Sequence, residues 1–539
     1  MPAYIPAPYI SIQNIIFELP DGRRLFDDLS CTFDNRQTAI VGPNGIGKSV
    51  LAKIIAGKVL PSSGSVQARG SVGFVPQFWP GSDNDSLAKV LGIDQALAAM
   101  AAIEKGDTDQ HCFDVAEPWW DWRTRFELLN AELYLPEFGE LSRPIGSYSG
   151  GEQLRWLWAA ALLNNPDIVV MDEPSNHLDR QGREFFNKWL QQCEPLVIVV
   201  SHDREILSTV NHIVELSNQT CFQHSGNFDV YQYNRQQRLK KQQKNVAIAR
   251  QKVSVEKHHA QVALEKQQQR VAGGRAKAVK KSLSAVEIGA ARNQASASQH
   301  RAGRMHSERL GIVQNKLKEL RDGLEWQEPI AFKLPCLTSL SRKICTVEKL
   351  QNSFTQALHP TISFALVGAQ RLHIVGRNGS GKSLLLKCMA RDANPSCGRS
   401  DIHVPFALLD QHTSCLNPTE SGVENFCRLC PGLSAQQYRE RLAWLRLRSH
   451  KADICVGELS GGEQMKVAIA VALLGPQRTQ LLLLDEPSNH LDVDSLAALE
   501  QSLAAYHGAL ILVSHDQLFA SKLQLTHQLN LETAEFTSL

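Results

Sequence analysis

The chain has 539 residues, of which 43% are hydrophobic and 21% are charged, so it can bury large cores and is long enough for roughly three to four domains. No apolar run approaches the ~20 residues that a membrane span needs, and the N-terminus lacks the pattern of a secretory signal, so we expect a cytoplasmic protein. The net charge is only +2, but residues 234–325 carry 21 Lys and Arg against 7 Asp and Glu, which leaves the remainder acidic.

The first chemical motif along the chain is a glycine-rich loop between a strand and a helix. A predicted strand, Thr38–Val41, runs into GPNGIGKS at 42–49, and a helical pattern follows over Val50–Ala56. Glycines at this spacing let backbone N–H groups wrap phosphates, while the lysine reaches the β- and γ-phosphates and the serine ligates Mg²⁺. The predicted phosphate-binding residues are Gly42, Asn44, Gly45, Gly47, Lys48 and Ser49.

Two features lie between this loop and the next motif. Gln77 follows a strand-like segment and suits Mg²⁺ or water positioning. An insertion is predicted at about residues 83–141. The distance from the loop lysine to the serine of the next motif, SGGE, is 101 residues here but 78 residues in a second copy of these motifs further along the chain. Aromatic and leucine side chains in the insertion keep a helical spacing, and either pack internally or form an arm that docks on a partner. They are Trp119, Trp120, Trp122, Phe126, Leu129 and Leu133.

The motif SGGE at 149–152 opens a helix. A serine and two glycines at a helix N-terminus make an anion-binding surface, yet no anion is assigned to it within its own half of the chain. We therefore predict that Ser149, Gly150, Gly151 and Glu152 face the γ-phosphate bound by the other half.

The sequence DEPSNHLD at 172–179 follows a predicted buried strand, Asp167–Met171. Asp172, at the strand end, is placed to hold Mg²⁺, and Glu173 is the natural base for the attacking water. His202 follows the glutamate by 29 residues in a Ser-His-Asp context, and we predict that it senses the γ-phosphate.

The basic region has the composition of a long helix. Residues 234–270 are rich in Gln, Lys, Arg and Ala, and Gly273-Gly274 is expected to end the helix. A second helix with heptad spacing is predicted to pack back on it, with Leu310, Val313, Leu317, Leu320 and Leu324 in the seam. The basic tip between them comprises Arg275, Lys277, Lys280, Lys281, Arg292, Arg301 and Arg304.

Two interpretations of this charge stay open. The region is either a solvated linker or a surface for the phosphate backbone of a nucleic acid, for which a net charge of +14 is the expected footprint. The near absence of aromatics argues against stacking on single-stranded bases.

The whole set of motifs occurs a second time, 311 to 313 residues further on for SGGE, DEPSNHLD and Ser-His-Asp. Alternating strands and helices predict an α/β fold with two nucleotide-binding domains, 1–232 and 336–539, joined by a basic helical linker, 233–335. In the second copy Glu486 is the predicted base, His515 the sensor, and Ser383, Gln411 and Asp485 the Mg²⁺ ligands. The remaining predicted site residues are Gly376, Asn378, Gly379, Gly381, Lys382, Ser460, Gly461, Gly462 and Glu463.

These motifs resemble the ATP-binding-cassette superfamily, and the glutamate of SGGE with the Asn-His-Leu-Asp endings resembles its class F. The resemblance implies a monomer whose two cassettes pair and bind two ATP molecules with Mg²⁺ head to tail. Residues 42–49 would face Ser460–Glu463, and 376–383 would face Ser149–Glu152. It also implies an ATPase that binds the ribosome near the tRNA exit site, with residues 234–325 touching ribosomal RNA and P-site tRNA beside the peptidyl-transferase centre.

Several points stay open at the level of sequence. A general translation factor and an antibiotic-resistance protection factor are not separated, and an ATPase acting on branched or damaged DNA is the alternative function. The ATPase subunit of a transporter is disfavoured by the charged linker. The adenine-stacking aromatic of the family is replaced by Leu19 in the first half, and Phe354 is the candidate in the second.

Overall fold

The computed structural model of the chain describes residues 7–20, 22, 24–133, 141–176, 178–217, 220–280, 308–319, 343–351, 361–410, 413–445, 447, 450–475, 479–489 and 491–539. The chain divides into two compact units, one made of Met1–Asp229 with Pro329–Leu539 and the other of Val230–Glu328. We call the part of the first unit up to Asp229 the first cassette, and the part from Pro329 the second cassette. Within the described ranges, no helix is long and apolar enough to cross a lipid bilayer.

The first cassette combines two sheets with helices. Its strands are β1 (Tyr9–Glu18), β2 (Arg24–Phe33), β3 (Gln37–Val41), β4 (Ser63–Arg69), β5 (Val72–Val75), β6 (Ile168–Asp172), β7 (Leu196–Val200), β8 (His212–Leu216) and β9 (Cys221–Ser225). Its helices are α1 (Lys48–Ile55), α2 (Leu87–Val90), α3 (Asp94–Glu104), α4 (Gln110–Ala116), α5 (Trp122–Leu133), α6 (Gly150–Leu162), α7 (Arg180–Gln192) and α8 (Arg204–Thr209). The six-stranded sheet has the order β5-β6-β7-β3-β8-β9, and the three-stranded sheet has the order β2-β1-β4.

The helices between the cassettes are α9 (Phe228–Lys280) and α10 (308–319). The strands of the second cassette are β10 (Lys343–Gln351), β11 (Ile362–Val367), β12 (Arg371–Val375), β13 (Cys397–Ile402), β14 (Phe406–Leu409), β15 (Leu481–Asp485), β16 (Ala509–Val513), β17 (His527–Asn530) and β18 (Glu535–Ser538). Its helices are α11 (Lys382–Ala390), α12 (Gly422–Leu429), α13 (Ala435–Trp444), α14 (His450–Asp453), α15 (Gly461–Leu474), α16 (Val493–Ala504) and α17 (Gln517–Lys522).

The second cassette repeats the topology of the first. Its sheets have the orders β14-β15-β16-β12-β17-β18 and β11-β10-β13. In both six-stranded sheets the neighbouring strands are parallel except for the last pair, β8–β9 and β17–β18, which is antiparallel. The α/β fold with two nucleotide-binding domains that the sequence predicts is therefore confirmed.

The central strands explain where the chemistry lies. Every residue of β3, β6 and β7 is buried, and their sequences QTAIV, IVVMD and LVIVV are nearly continuous apolar runs, as expected for parallel strands covered on both faces. Because the carboxyl ends of parallel strands meet at one edge of a sheet, the residues that follow these strands come together there. The same holds for β12, β15 and β16.

The core of each cassette lies between its two sheets. In the first cassette Ile10, Ile15 and Phe33 of the antiparallel sheet share a cluster with Val170 and Ile198 of the parallel sheet. The second cassette has the matching cluster. A further cluster joins the other face of its parallel sheet to helices α12 to α16, so α15, the helix that SGGE opens, is fixed to the sheet.

The cassettes differ in one inserted segment. Isolated β-bridges mark equivalent places in the two copies, and their partners are 58 positions apart at Ser86–Pro144 but 34 apart at Ser421–Cys455. Counted back from SGGE, α5 corresponds to α13, so the additional residues contain α3 and α4, which pack on each other.

The aromatic residues of this segment have unequal roles. Trp122 and Phe126 are buried, and the ring of Phe126 stacks on Trp156 of α6 at 5.9 Å, so internal packing accounts for both. Trp120 is 54% exposed and Leu128 is 68% exposed. Phe113 of α4 is 39% exposed, and these three exposed side chains fit the interpretation of a docking arm.

In the second unit, α9 differs from its predicted end. The helix continues through Gly273 and Gly274 to Lys280, so the expected break at these glycines is wrong. A helical glycine costs about 1 kcal/mol relative to alanine, which neighbouring helix-forming residues offset. The helix has 53 residues and is about 80 Å long.

Only part of the predicted seam and tip falls on described residues. In α10 Leu310, Val313 and Leu317 are partly buried, as is Gly311, while the other described residues of the helix are exposed, as expected for a packed face. Of the predicted tip, Arg275, Lys277 and Lys280 belong to α9. The remaining seam and tip positions lie outside the described residues: Leu320, Leu324, Lys281, Arg292, Arg301 and Arg304.

Candidate nucleotide sites

The phosphate loop of the first cassette connects β3 to α1. Gly47, the N-cap of α1, has φ of +104°, and a Cβ there would lie 2.7 Å from Leu25 Cδ2 and from Phe26 Cζ. Glycine is therefore required at this position for both backbone angle and space. Gly381 takes the same left-handed conformation before α11, with φ of +90°.

The two loop lysines are buried and make matching contacts. Lys48 Nζ donates to the carbonyl oxygens of Gly42 and Pro43 at 2.9 and 3.0 Å, and Lys382 Nζ donates to those of Gly376 and Arg377 at 2.8 and 2.9 Å. Burial lowers the pKa of both lysines from its ordinary value. Each ammonium is thus held inside the curve of its loop, where an oligophosphate would be wrapped.

Each loop serine meets the carboxylate at the end of the neighbouring strand. Ser49 Oγ donates to Asp172 Oδ1 at 3.1 Å, and Ser383 hydrogen bonds to Asp485 in the second copy. Burial raises the pKa of both aspartates. The Oδ1 atom of Asp485 is buried without a hydrogen-bond partner.

These oxygens fit the Mg²⁺ that the fold implies. A hydroxyl and a carboxylate beside a phosphate loop are the donors that Mg²⁺ takes together with substrate phosphates. Within the described residues there is no cluster of three or more His, Cys, Asp and Glu that would suit another metal. Ser49 with Asp172, and Ser383 with Asp485, are therefore the residues that would hold the ion.

Each predicted base lies beside its predicted sensor. Glu173 Oε1 is 3.9 Å from His202 Nε2, and Glu486 Oε1 is 3.7 Å from His515 Nε2. Burial raises the pKa of Glu173 to about 8 and that of Glu486 to about 7. Burial also lowers the pKa of His515 to about 3 and that of His202 well below its ordinary value, so both imidazoles are neutral near pH 7.

Both glutamates have a left-handed backbone that the sequence does not predict. The φ angles are +49° at Glu173 and +46° at Glu486, and their N–H groups donate to Val200 and Val513 of the neighbouring strands. Such angles in a non-glycine residue cost of order 1–3 kcal/mol and cluster at functional sites. The strain turns the chain so that aspartate and glutamate, although adjacent, point to different parts of the site.

The SGGE motifs are helix N-termini closed by reciprocal hydrogen bonds. Ser149 and Ser460 are the N-caps of α6 and α15, and each forms a capping box with the glutamate three residues later. Glu463 also pairs with Lys451 at 2.5 Å. The glutamates are thus occupied within their own motif, a role that the spacing S-x-x-E could have predicted, while Gly150, Gly151, Gly461 and Gly462 form the first turns.

Contacts across the cassettes support the head-to-tail arrangement. The N–H of Asn44, in the first phosphate loop, donates to Asp492 Oδ2 of the second cassette at 3.4 Å. Lys466, one turn into α15, lies 3.6 Å from Asp492, and its charge acts on Lys48. The start of α15 is thereby near the first loop.

Residues of the first cassette likewise lie beside the phosphate loop of the second cassette. A cavity of about 630 Å³ is lined by Asp179 and Arg180 of the first cassette and by Gly376, Arg377 and His515 of the second. The negative charge of Asp179 acts on both Lys382 and His515. Asp179 and Asp492, the last residues of the two DEPSNHLD motifs, were not among the predicted site residues, although their repetition was a visible signal.

The remaining predicted residues are placed less directly. Gln77 follows β5, whose neighbour β6 ends in Asp172, so it lies at the correct edge of the sheet. Leu19 follows β1 directly. Gln411 and Phe354 lie outside the described residues.

Comparisons with known proteins agree with this geometry. A sequence profile of the family described as ABC transporter matches residues 26–176 and 360–489, just over half of the chain. The probable ATP-binding protein YheS of Escherichia coli K12 is 29% identical over 513 residues, which are 92% of this chain and 74% of that protein. ABC transporter F family member 4 of Arabidopsis thaliana is 27% identical over 539 residues, 93% of this chain and 70% of that protein.

Solved structures show the same tandem fold. The RNase-L inhibitor matches with a TM-score of 0.53 at 18% identity, covering 98% of this chain and 90% of that one. An archaeal ribosome recycling factor, aABCE1, in complex with the stalk protein aP1, matches with a TM-score of 0.52 at 18% identity, over 97% of this chain and 89% of that one. With two matched cassettes and class F relatives along nearly its whole length, the chain belongs to the ABC transporter family, as an ATP-binding protein of class F.

Proposed function

We propose that the protein is an ATPase of class F that binds the ribosome near the tRNA exit site when ATP closes its cassettes. Its basic linker then adjusts P-site tRNA or the peptidyl-transferase centre, and hydrolysis releases it. The proposed domains are 1–232, 233–335 and 336–539. The observation that carries the proposal is the presence of two complete phosphate sites, each approached by the opposite cassette, on a chain with a long cationic helix.

Different residues would bind the phosphates, position the γ-phosphate and accept a proton during ATP hydrolysis. Lys48 and Lys382 bind the β- and γ-phosphates, and Mg²⁺, when bound, neutralises the charge that develops on the phosphate oxygens. Glu173 and Glu486 accept the proton of the attacking water, for which a pKa near the working pH is favourable. The adjacent neutral histidines, His202 and His515, hydrogen bond the γ-phosphate.

ATP acts as a switch because each site is built from both cassettes. A ligand that touches both halves binds the closed arrangement more tightly and shifts the population toward it. The contact of Asn44 with Asp492 and the position of Lys466 tie the first loop to the opposite cassette. Loss of the γ-phosphate removes the group that both cassettes would share.

The linker supplies the nucleic-acid surface. The first half of α9 exposes six basic side chains and has one acidic residue, Glu256, between 234 and 259. The exposed basic residues are Lys240, Lys241, Lys244, Arg250, Lys252 and Lys257. The helix is about 80 Å long, and its basic stretch from residue 234 to 280 contains no Phe, Tyr or Trp. This combination of charge and length suits backbone and shape recognition of folded RNA. Ribosome factors among the structures with this tandem fold make the ribosome the first partner to test.

Co-sedimentation tests the proposal directly. The variant Glu173→Gln with Glu486→Gln should bind ATP, fail to hydrolyse it and remain closed. We expect it to pellet with purified ribosomes at least tenfold more in ATP than in ADP. Failure to pellet, together with binding to branched DNA, would contradict the ribosomal function and favour the alternative action on DNA.

The charge of α9 gives a second, quantitative test. Replacing Lys240, Lys241 and Lys244 by Gln in that double variant should weaken ribosome binding and reduce the slope of log affinity against log salt by about 2, since each phosphate contact contributes about 0.7–0.9. The control replaces three exposed cassette lysines, Lys58, Lys188 and Lys343, by Gln. An equal effect of both triplets would show that overall charge, not the linker, governs binding.

A further inference from the structure

The turn that carries His202 is held from two sides by buried ion pairs. Asp203 Oδ2 pairs with Arg183 Nη1 of its own cassette at 2.7 Å, with both side chains about one-tenth exposed. Arg204 Nη1 pairs with Glu500 Oε1 of the opposite cassette at 2.6 Å, and these side chains are 7% and 6% exposed. Arg204 is also the first residue of α8, so its anchoring fixes the turn at Ser201–Asp203.

Glu500 belongs to the same composite site as His202. It lies in α16, the helix whose N-cap is Asp492, and Asp492 accepts a hydrogen bond from Asn44 of the first phosphate loop. Lys522 donates to the other oxygen of Glu500 at 2.9 Å but is half-exposed. The pair of Arg204 with Glu500 therefore joins the sensor turn of the first site to the helix through which the second cassette completes that site.

The repeat has no charged counterpart of this pair. At the offset of 313 residues, Gln517 stands in place of Arg204 and Asn187 in place of Glu500, while Leu496 stands in place of Arg183. Gln517, with its amide oxygen turned toward Arg180, accepts hydrogen bonds from that guanidinium at 2.9 and 3.1 Å. Arg180 is 68% exposed, so this contact is weakened by water and salt.

We propose that Arg204 is a positioning residue for the ATP site of the first phosphate loop, acting through Glu500, and that the two sites are therefore unequal. Among the described residues, a buried ion pair between the cassettes holds the sensor turn at the first site alone, so closure and hydrolysis are most tightly coupled there. Removing one member of a buried pair leaves the other charge desolvated and unpaired, which opens the contact or displaces the turn. The inference rests on the proposed ATPase activity.

Two backgrounds separate the sites. In Glu486→Gln only the first site turns over, and in Glu173→Gln only the second does. We expect Arg204→Gln to lower kcat at least tenfold in the first background, with KM changed less than threefold, and to change kcat less than twofold in the second. Arg204→Lys should restore part of the loss. The control is Arg439→Gln, which breaks an exposed pair with Asp453 within the second cassette.

Other outcomes overturn the inference in distinguishable ways. Equal losses in both backgrounds would give Arg204 a merely structural role, and no loss in either would remove its role altogether. Glu500→Gln keeps the side-chain shape and should reproduce the selective loss if Arg204→Gln does not fold, as judged by thermal unfolding. Absence of turnover in the unsubstituted chain would refute the proposed ATPase and the inference with it.

Discussion

The two nucleotide sites share their motifs but differ in how the opposite cassette reaches them. At the first site a hydrogen bond and a buried ion pair cross between cassettes, through Asn44 with Asp492 and through Arg204 with Glu500. At the second site the crossing hydrogen bonds run from an exposed arginine, Arg180, to a neutral amide, Gln517. Duplicated motifs therefore do not imply duplicated contacts between the cassettes.

The sensor histidines show the same difference. His515 Nε2 lies 3.1 Å from Asn378 Oδ1 in its own phosphate loop, whereas both ring nitrogens of His202 are buried without a hydrogen-bond partner. A buried polar group without a partner costs about 1–3 kcal/mol. Under the proposed sensor role, His202 would gain a first hydrogen-bond partner from a γ-phosphate, whereas His515 would exchange Asn378 for it.

The largest expected effect comes from the two bases. Glu173→Gln with Glu486→Gln should reduce turnover by about 10²–10⁴, since general-base catalysis supplies that factor. The single variants Glu173→Gln and Glu486→Gln compare the two sites directly, because each variant would retain half of the activity if the sites were equal. We expect unequal remainders in a steady-state phosphate-release assay, with ATP binding measured in parallel as the control.

The predicted site residues that the structure brings together belong to patterns that are local and repeated. Glycine spacing, strand-terminal Asp172 and Asp485, and the matched histidines depend on a few neighbouring residues, and the parallel sheet then gathers them at one edge. The left-handed φ of Glu173 and Glu486 escaped prediction because nothing in their local sequence requires it.

The contacts between the cassettes could not be predicted from sequence patterns. Arg204 and Glu500 are 296 positions apart, and neither has a distinctive local pattern. In the linker a strong local pattern gave a wrong prediction. Gly273 and Gly274 predict the end of a helix, yet α9 continues through both to Lys280. Composition predicted the helix well but not its end.

The last aspartates of the two DEPSNHLD motifs, Asp179 and Asp492, provide a test of the difference between the two sites, with an expected effect of intermediate size. Both are N-caps, but Asp492 is more buried than Asp179 and also faces Lys466, with both members of that pair 7% exposed. Burial alone would raise the pKa of Asp492, and the Lys466 charge with the Ser495 hydrogen bonds brings it below its ordinary value.

Loss of a cap alone costs about 1 kcal/mol, whereas stranding a buried lysine costs about 3–5 kcal/mol. We therefore expect Asp492→Ala to lower the apparent stability of the chain by roughly 3 kcal/mol and Asp179→Ala by roughly 1 kcal/mol. Urea titrations monitored by tryptophan fluorescence give both values. Equal costs would mean that Lys466 finds another partner and that the buried pair does not distinguish the sites.

The smallest expected effect concerns the exposed contact at the second site. Arg180→Gln removes the hydrogen bonds to Gln517 and an ion pair with Glu184, but exposed pairs contribute only about 0.2–1 kcal/mol. In the Glu173→Gln background we expect kcat to change less than twofold, and less still at high salt. The proposed inequality of the sites follows from the burial of the Arg204–Glu500 ion pair. A loss as large as that of Arg204→Gln at the first site would therefore show that the contacts between the cassettes are equivalent at the two sites.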